Sequence, residues 1–298
     1  MTKPFTTEQL LKLHYIYPLP MIKLQKLLQY IKLLERIPCF PSVELSKLLN
    51  IKREKIELLQ RQFVQLADIS LMSHYEQQGI LSIPFTDEYY PKKLLQLPDA
   101  PVVLYTKGNV KLLTHAKKIA VIGSRNVTPY SQQALECLIP PLIEDDYVIV
   151  SGLAKGADTL AHKATMYYGG KTIAVLGHGL QHIYPKENAQ LATKIASEHL
   201  LVTEYPPYVG IEKWHFPMRN RIISGLSDAL VVTEAAMRSG TLITTEHALE
   251  QGKDVFVVPG PITSEQSKGT NYLLKEGAIP VWNGYQILEE LQMFSSFH

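Results

Sequence analysis

Seven short apolar runs alternate with helical stretches over residues 100–260, and this alternation limits the folds open to the chain. Each run is rich in Val, Ile and Leu, and most are followed by Gly or a polar loop. The runs span residues 102–105, 119–122, 148–150, 173–176, 200–202, 229–232 and 255–258, and the clearest helical stretches are 131–143, 159–168, 188–197 and 242–251. Apolar strands that alternate with helices predict an α/β fold, a mostly parallel sheet with helices on both faces.

Residues 1–78 have a different pattern, which predicts helices alone. Apolar residues recur at helical spacing from residue 10 to 34, and four prolines interrupt the stretch. We predict a short helix that ends at Asn50, then one longer helix from about residue 52 to 78 that Gly79 terminates. The chain is therefore expected to divide into a small all-helical domain, residues 1–78, and a larger α/β domain, residues 79–298.

Positive charge is concentrated in the N-terminal part. Residues 1–65 carry eleven Lys and Arg against five Glu, a net charge of +6, whereas the whole chain has a net charge of +2. The larger domain is therefore slightly acidic, and a polyanion would bind there at a local cluster of cations. The solvated faces of helices explain the basic N-terminal stretch equally well.

The cysteines and the hydropathy indicate the cellular compartment in which the protein is expected. Cys39 and Cys137 lie far apart in no metal or redox spacing, which is typical of free thiols in a reducing compartment. The sequence has no evident signal peptide and no apolar run long enough to span a bilayer. We therefore expect a cytoplasmic protein that does not bind a membrane.

Glycines and cations follow the predicted strands at the points where the strands end. Gly123-Ser124-Arg125 follows one strand and residues 151–158 follow the next. In parallel sheets, ligands bind at this carboxyl edge. Glycine lets backbone N–H groups approach an anion, and the following helix N-termini add partial positive charge. With Arg125 and Lys155 these loops predict a phosphate-binding rim, although tight strand-to-helix turns would explain any one loop alone.

Aromatic and basic side chains are densest in residues 214–227. Trp214 and Phe216 precede Arg219 and Arg221, and single-stranded nucleic acid binds to aromatic platforms combined with cations. Successive residues on a helix are about 100° apart, so the two arginines cannot share one outward face. We expect one to face the ligand and the other a carboxylate or the end of the sheet. The alternative is a buried Trp/Phe pair with surface arginines.

Motifs for cofactors, metals and catalysis are absent from the sequence. Residues 177–182 lack the last Gly of the dinucleotide fingerprint, and residues 152–158 do not match a P-loop. The sequence contains no HExxH motif, nucleophile elbow or Cys/His metal cluster. We therefore expect no cofactor, no metal and no catalytic residue.

Ordered motifs over residues 80–285 resemble the DprA/Smf family (DNA-processing protein A). The matching motifs are residues 119–125, 150–158, 174–179 together with 184–185, 204–207, 216–227, 239–244 and 257–261. Seven ordered motifs at plausible spacing are specific, whereas any one of them is weak. Ala157 departs from the family, which often has Ile at this position.

The resemblance implies an extended Rossmann-like domain that binds single-stranded DNA, preceded by a helical domain that is SAM-like. It also implies a homodimer formed through the later part of the Rossmann-like domain. The implied function is that of a non-enzymatic recombination mediator, which protects incoming DNA and loads the RecA recombinase during natural transformation. Because the chain ends soon after Leu291, the winged-helix domain that many members carry at the C-terminus is expected to be absent.

The family motifs and the loop pattern together give the candidate DNA-binding residues. They are Gly123, Ser124, Arg125, Ser151, Gly152, Lys155, Gly156, Phe216, Arg219, Asn220, Arg221, Ser239, Gly240 and Thr241.

Two other functions fit parts of the sequence. Ser239-Gly240-Thr241 with Glu246 distantly resembles the loop of Rossmann-like nucleotide phosphoribohydrolases, although the turn and the Glu spacing differ. Residues 44–59 superficially resemble a helix-turn-helix, which would make the chain a duplex-specific regulator.

Overall fold

A mixed sheet forms the centre of the fold in the computed structural model, which describes residues 5–295. The strands in this range are β1 (Leu81–Pro84), β2 (Val103–Gly108), β3 (Lys118–Ile122), β4 (Val148–Ser151), β5 (Thr172–Val175), β6 (Leu200–Thr203), β7 (Ala229–Val232), β8 (Asp254–Val257) and β9 (Ile279–Pro280).

Helices precede the sheet and connect most of its strands. They are α1 (Thr7–Ile16), α2 (Met21–Ile31), α3 (Ser42–Leu49), α4 (Arg53–Gln65), α5 (Leu71–Glu76), α6 (Pro129–Glu144), α7 (Ala157–Tyr167), α8 (Ala189–Glu198), α9 (His215–Leu226), α10 (Gly240–Glu250), α11 (Lys268–Lys275) and α12 (Gly284–Ser295). Short 3₁₀ helices span Leu34–Cys39, Lys92–Gln96, Val110–Thr114, Lys186–Asn188 and Glu265–Ser267.

The strand order confirms the expected α/β architecture. The order is β1-β2-β6-β5-β4-β3-β7-β8-β9, and the pairs from β6 to β9 are parallel. The segment β5-β4-β3-β7-β8-β9 has the 3-2-1-4-5-6 order of a Rossmann fold, in which the order reverses between β3 and β7. β1 and β2 extend one edge as antiparallel strands.

Side-chain alternation along β3 divides the core between the two faces of the sheet. Ala120 and Ile122 belong to a buried cluster that includes residues of α9 and α10. Ile119 and Val121 point to the other face, where they join residues of α6, α7 and α12. Each parallel strand from β3 to β7 is buried along its whole length, which explains why most positions in these strands are apolar.

The structure corrects part of the N-terminal prediction. Asn50 ends α3 in the left-handed conformation as predicted, with φ of 52°. One continuous helix over residues 52–78 is wrong, because α4 ends at Gln65 and α5 begins only at Leu71. Ser70 caps α5 by accepting from the Ser73 amide at 3.2 Å, and the Glu8 carboxylate accepts from the Leu71 amide at 2.5 Å. These two acceptors satisfy amides that a continuous helix would have bonded internally.

The helical segment shares a core with the edge of the sheet. Leu10 and Leu13 of α1 lie in the same buried cluster as Val103 and Tyr105 of β2. His14 Nδ1 lies 3.0 Å from the Tyr105 hydroxyl, and both side chains are buried. The division into two domains after residue 78 stays a prediction, although the last helix before the sheet does end at Glu76.

Two buried histidines should make stability depend on pH. Burial lowers the pKa of His14 to about 3 and that of His162 to about 4. The unfolded chain binds protons at these positions below its pKa of about 6.5, whereas the folded chain does not until the pH is far lower. The contribution of these two histidines to the free energy of unfolding is therefore complete above pH 6.5 and is lost as the pH falls towards 4. Each histidine should lower the free energy of unfolding by about 2 kcal/mol between pH 7 and pH 5.

Urea unfolding of wild type and of His14→Leu at both pH values measures this effect. The variant should lose about 2 kcal/mol less than wild type between pH 7 and pH 5. Between pH 7 and pH 8 the two proteins should change alike, which serves as the control. Parallel losses between pH 7 and pH 5 would show that His14 is not responsible.

Candidate nucleic-acid interface

A cleft lies at the carboxyl ends of β3, β4, β5 and β7, where the strand order reverses. It consists of two adjoining pockets that share Arg125, Tyr184, Phe216 and Arg219. Ten of the candidate residues line it: Gly123, Ser124, Arg125, Lys155, Phe216, Arg219, Asn220, Ser239, Gly240 and Thr241. Arg125, Lys155 and Arg219 thus lie in one place, rather than on opposite sides of the molecule.

Hydrogen bonds across the reversal point hold the loop that carries Arg125. The Ser124 amide donates to the carbonyl oxygen of Glu234 at 2.7 Å, which joins the ends of β3 and β7. The Ser124 hydroxyl donates to Gln266 Oε1 at 2.6 Å and accepts from the Asn126 amide at 3.0 Å. Arg125 itself is exposed, so a fixed loop presents its guanidinium group to the cleft.

Gly156 lets α7 begin close to the same loop. Its φ is +76°, and a Cβ at this position would overlap the carbonyl oxygens of Ser124 and Arg125. The Ala157 amide donates to the Ser124 carbonyl at 3.0 Å. A side chain at Gly156 would therefore strain the backbone and displace Arg125.

Two aromatic rings form one wall of the cleft. The centroids of Tyr184 and Phe216 are 5.6 Å apart, and the Arg125 guanidinium carbon is 5.8 Å from the Phe216 centroid. Trp214 does not pair with Phe216 but is 62% exposed and packs against His215. The alternative of a buried Trp/Phe pair with surface arginines is therefore wrong.

Lys155 is exposed at the edge of the cleft but already has a partner. Its Nζ is 2.6 Å from Glu187 Oε1. The hydrogen bond that Lys155 donates to the Glu187 carboxylate raises the pKa of Lys155, so the side chain stays charged. An anion that binds here competes with a carboxylate for this cation.

Arg219 is buried under the cleft and faces the end of the sheet. Its Nη1 donates to the Val175 carbonyl at 2.5 Å, and its Nε donates to Asn220 Oδ1 at 3.1 Å. Asp158 is buried nearby, where desolvation raises the pKa of its carboxyl and Arg219 partly offsets the rise. A Cβ on Gly152 would overlap both Arg219 Nη1 and Asp158 Oδ2, so glycine is required between them.

Arg221 and Ser151 do not line the cleft. Arg221 is buried and pairs with Asp99 at 2.8 Å and with Glu204 at 2.5 Å. The two arginines on α9 therefore point to different surroundings, as helical geometry predicts: Arg219 to the floor of the cleft at the end of the sheet, and Arg221 to carboxylates. The Ser151 hydroxyl donates to the Val121 carbonyl at 2.6 Å inside the sheet.

A carboxylate already occupies the N-terminus of α6, where a Rossmann fold binds pyrophosphate. Glu234 is buried and accepts from the Thr128 amide at 2.9 Å, the Thr128 hydroxyl at 2.8 Å and the Ser131 hydroxyl at 2.7 Å. The Glu234 carboxylate thus accepts the hydrogen bonds that a bound anion would otherwise accept at this helix N-terminus. The cleft is therefore displaced from the dinucleotide position towards β4, β5 and α9.

Several lining residues were missed from the sequence. Asn126, Asp158, Tyr184, Lys213 and Gln266 line the cleft beside the candidates. Tyr184 and Asp158 lie inside motifs that the family resemblance uses, and Lys213 directly precedes Trp214, so proximity to a motif was an available signal. Gln266 follows β8 by nine residues and gives no such signal.

The described residues give no support to a metal or hydrolase site. Within residues 5–295, no group of three His, Cys, Asp or Glu side chains is placed to hold a metal ion. Glu246, which the phosphoribohydrolase resemblance requires, is exposed on α10 and is not among the residues that line the cleft. In the same range, no helix has the length and apolarity that crossing a bilayer requires.

Comparisons with known proteins agree with the fold and the motifs. The model of the family DNA recombination-mediator protein A matches residues 82–292. DNA processing protein DprA of Bacillus subtilis is 44% identical over 221 residues, which are 74% of this chain and 74% of the relative. DprA of Streptococcus pneumoniae is 46% identical over 230 residues, 77% of this chain and 80% of the relative.

Two solved structures are also similar. DprA from Streptococcus pneumoniae superposes with a TM-score of 0.82 and 38% identity, over 96% of this chain and 98% of that one. DprA from Helicobacter pylori, whose structure describes its single-stranded DNA binding mode, has a TM-score of 0.65 and 32% identity, over 75% of this chain and 99% of that one. The chain therefore belongs to the DNA recombination-mediator protein A family, which confirms its resemblance to DprA/Smf.

Proposed function

We propose that the chain binds single-stranded DNA in the cleft and does no chemistry on it. The observation that carries the proposal is the meeting of Arg125, Lys155 and Arg219 in one cleft beside the rings of Tyr184 and Phe216. Cations bind the phosphates of a single strand, and aromatic rings stack on its unpaired bases. The single-stranded DNA binding of the Helicobacter pylori relative supports the same use of this fold.

The exposed and buried candidates have different roles in this proposal. Arg125 and Lys155 at the mouth contact phosphates, and Phe216 with Tyr184 accepts a base. Backbone amides of Gly123 and of the α10 N-terminus, together with the Asn220 side chain, contact the strand. Arg219 supplies positive charge in the floor of the cleft. The remaining candidates, Ser124, Ser151, Gly152, Gly156 and Arg221, act by shaping the loops that hold these groups.

The wider role follows from the family. We propose that this protein is a recombination mediator that works in the cytoplasm. In this role it protects incoming single strands and loads the RecA recombinase during natural transformation. The membership in a recombination-mediator family and the absence of Glu246 from the cleft lining support mediation over hydrolysis.

Replacing the cleft cations should weaken DNA binding and reduce its salt dependence. For single strands, log K falls with log salt at about −0.7 per neutralised phosphate. Arg125→Ala and Lys155→Ala should each bring this slope closer to zero by about 0.7 and weaken binding to mixed sequences alike. Gel-shift titration at two salt concentrations, with oligo-dT and a matched duplex, measures both effects.

Lys163→Ala is the matched control for this experiment, because Lys163 is exposed farther along α7. It should leave affinity and slope unchanged. Unchanged affinity and slope in both cleft variants would show that Arg125 and Lys155 do not contact the bound strand. Tighter binding of the duplex than of oligo-dT would instead favour the helix-turn-helix alternative.

Removing the partner of Lys155 should strengthen DNA binding. Glu187→Gln frees the Lys155 ammonium and removes a negative charge from the edge of the cleft. Exposed ion pairs contribute at most about 1 kcal/mol, so the expected gain in affinity for oligo-dT is about two- to fivefold at low salt. Glu198→Gln, a matched charge change at the other end of α8, should have no effect. Equal affinities of Glu187→Gln and wild type would argue against a phosphate at Lys155.

We further propose that the protein forms a homodimer through the later part of the Rossmann-like domain. Exposed apolar side chains occur in this part of the chain: Leu249 on α10 is 57% exposed, and Ile262, which follows β8, is 89% exposed. A partner subunit that covered these side chains would remove their apolar surface from water.

Analytical ultracentrifugation tests the proposed dimer. At micromolar concentration the wild type should sediment as a dimer, and Leu249→Glu should shift it to a monomer because a carboxylate cannot be buried unpaired. Leu58→Glu on α4, where the leucine is 49% exposed, serves as the control and should stay dimeric. A monomeric wild type would contradict the proposal.

A further inference from the structure

A groove distinct from the cleft lies between helices α1 and α4 and the loop after β6. It has a volume of about 320 Å³ and is lined by Tyr15, Ile16, Gln62, Gln65, Leu66 and Tyr208. This volume lies at the lower end of the range for small-ligand sites. Two aromatic rings and two side-chain amides give the groove a mixed chemistry, unlike that of a simple packing gap.

Tyr208 provides an aromatic surface in this groove. Its ring centroid is 4.8 Å from that of Tyr15, and its hydroxyl donates to the Tyr15 carbonyl at 2.5 Å. The side chain is therefore fixed from two directions, yet Tyr208 remains 43% exposed. A fixed and partly exposed ring is suited to stacking with a nucleobase.

The opposite wall carries groups that match the rest of a nucleotide. Gln62 and Gln65 offer amide donors and acceptors, which suit the edges of an unpaired base. Arg61 is exposed on the same helix, and positions 61 and 65 are neighbours on one helical face. The net charge of +6 over residues 1–65 makes this part of the molecule attractive to a phosphate chain.

The loop after β6, which carries Tyr208, is hydrogen-bonded to the loop after β5, which carries Tyr184 of the cleft. The His182 ring donates to the Tyr208 carbonyl at 2.9 Å, and the Gly179 amide donates to the Val209 carbonyl at 2.8 Å. Tyr184, two residues after His182, lines the cleft and packs against Phe216. The loop that bonds to the Tyr208 carbonyl therefore also contributes a ring to the wall of the cleft.

We propose that this groove is a second subsite for single-stranded DNA, occupied by the continuation of the strand held in the cleft. Tyr208, supported by Tyr15, stacks on a base; Gln62 and Gln65 contact base edges, and Arg61 contacts a phosphate. The proposal rests on the proposed binding of single strands in the cleft. It gives the helical segment a direct part in DNA binding.

Length dependence separates this subsite from the cleft. Affinities of oligo-dT of increasing length are measured by fluorescence anisotropy for wild type, Tyr208→Ala and Gln65→Glu. Tyr208→Ala should bind long oligonucleotides about fivefold or more weakly, since one stacked base contributes on this scale. Gln65→Glu should also bind them more weakly, because it places a negative charge beside the phosphate chain. The shortest oligonucleotides, which the cleft alone holds, should bind all three proteins equally.

Three controls accompany the series. Tyr208→Phe keeps the ring and should keep the affinity for long oligonucleotides. Gln133→Glu makes the same charge change on α6, on the opposite face of the sheet, and should behave as wild type. Gln65 is exposed, so Gln65→Glu tests the groove even if Tyr208→Ala does not fold.

The outcomes distinguish the two proposals. Losses confined to long oligonucleotides support the second subsite. Equal losses at every length would mean that Tyr208 only positions the cleft, and no loss at any length would mean that DNA does not enter the groove; either result overturns the inference. A wild type that binds no oligo-dT would instead overturn the proposed function itself.

Discussion

The architecture of the cleft depends on a buried guanidinium group at the end of the sheet. Arg219 is 5% exposed, and burying an unpaired charge is costly unless polar groups surround it. The Val175 carbonyl and the side chain of Asn220 accept its hydrogen bonds, and the buried Asp158 lies close by. This arrangement ties α9 to the carboxyl end of β5 and places a positively charged guanidinium group in the floor of the cleft.

Acidic side chains confine that positive charge to the cleft. Glu234 fills the N-terminus of α6, and Asp99 with Glu204 neutralises Arg221 behind α9. Glu187 holds Lys155 at the edge until an anion competes for it. Although the chain carries a net charge of only +2, the cations that face the cleft are therefore concentrated on one rim. Attraction of a polyanion depends on such local clustering more than on net charge.

The sequence was most informative where one local rule decides the structure. Buried parallel strands are mostly apolar, so most of the sheet could be predicted, and the glycine-rich loops marked its carboxyl edge. The edge strands β1 and β9 were missed, because each is short and contains a proline. The break between α4 and α5 was missed as well; Ser70 caps the new helix locally, but its other acceptor, Glu8, lies some 60 residues away in the chain.

In the candidate site, too, contacts between distant segments could not be predicted from the sequence. Helical geometry predicted that Arg219 and Arg221 face different surroundings, but which of them faces the cleft depends on Asp99 and Glu204 from other segments. Likewise, the sequence placed Lys155 on the rim without revealing that Glu187 neutralises it. Contacts between distant segments decide both cases, and local patterns carry no information about them.

The helical segment bears on the cleft through the loops after β5 and β6. The Gly179 and Gln181 amides donate to the carbonyls of Val209 and Pro207, and the Gln181 side chain donates to Gln78. Tyr205 in the second loop stacks on His215 at 3.9 Å, at the start of the helix that carries Phe216 and Arg219. The same two loops therefore contact both the helical segment and the residues that form the aromatic wall of the cleft.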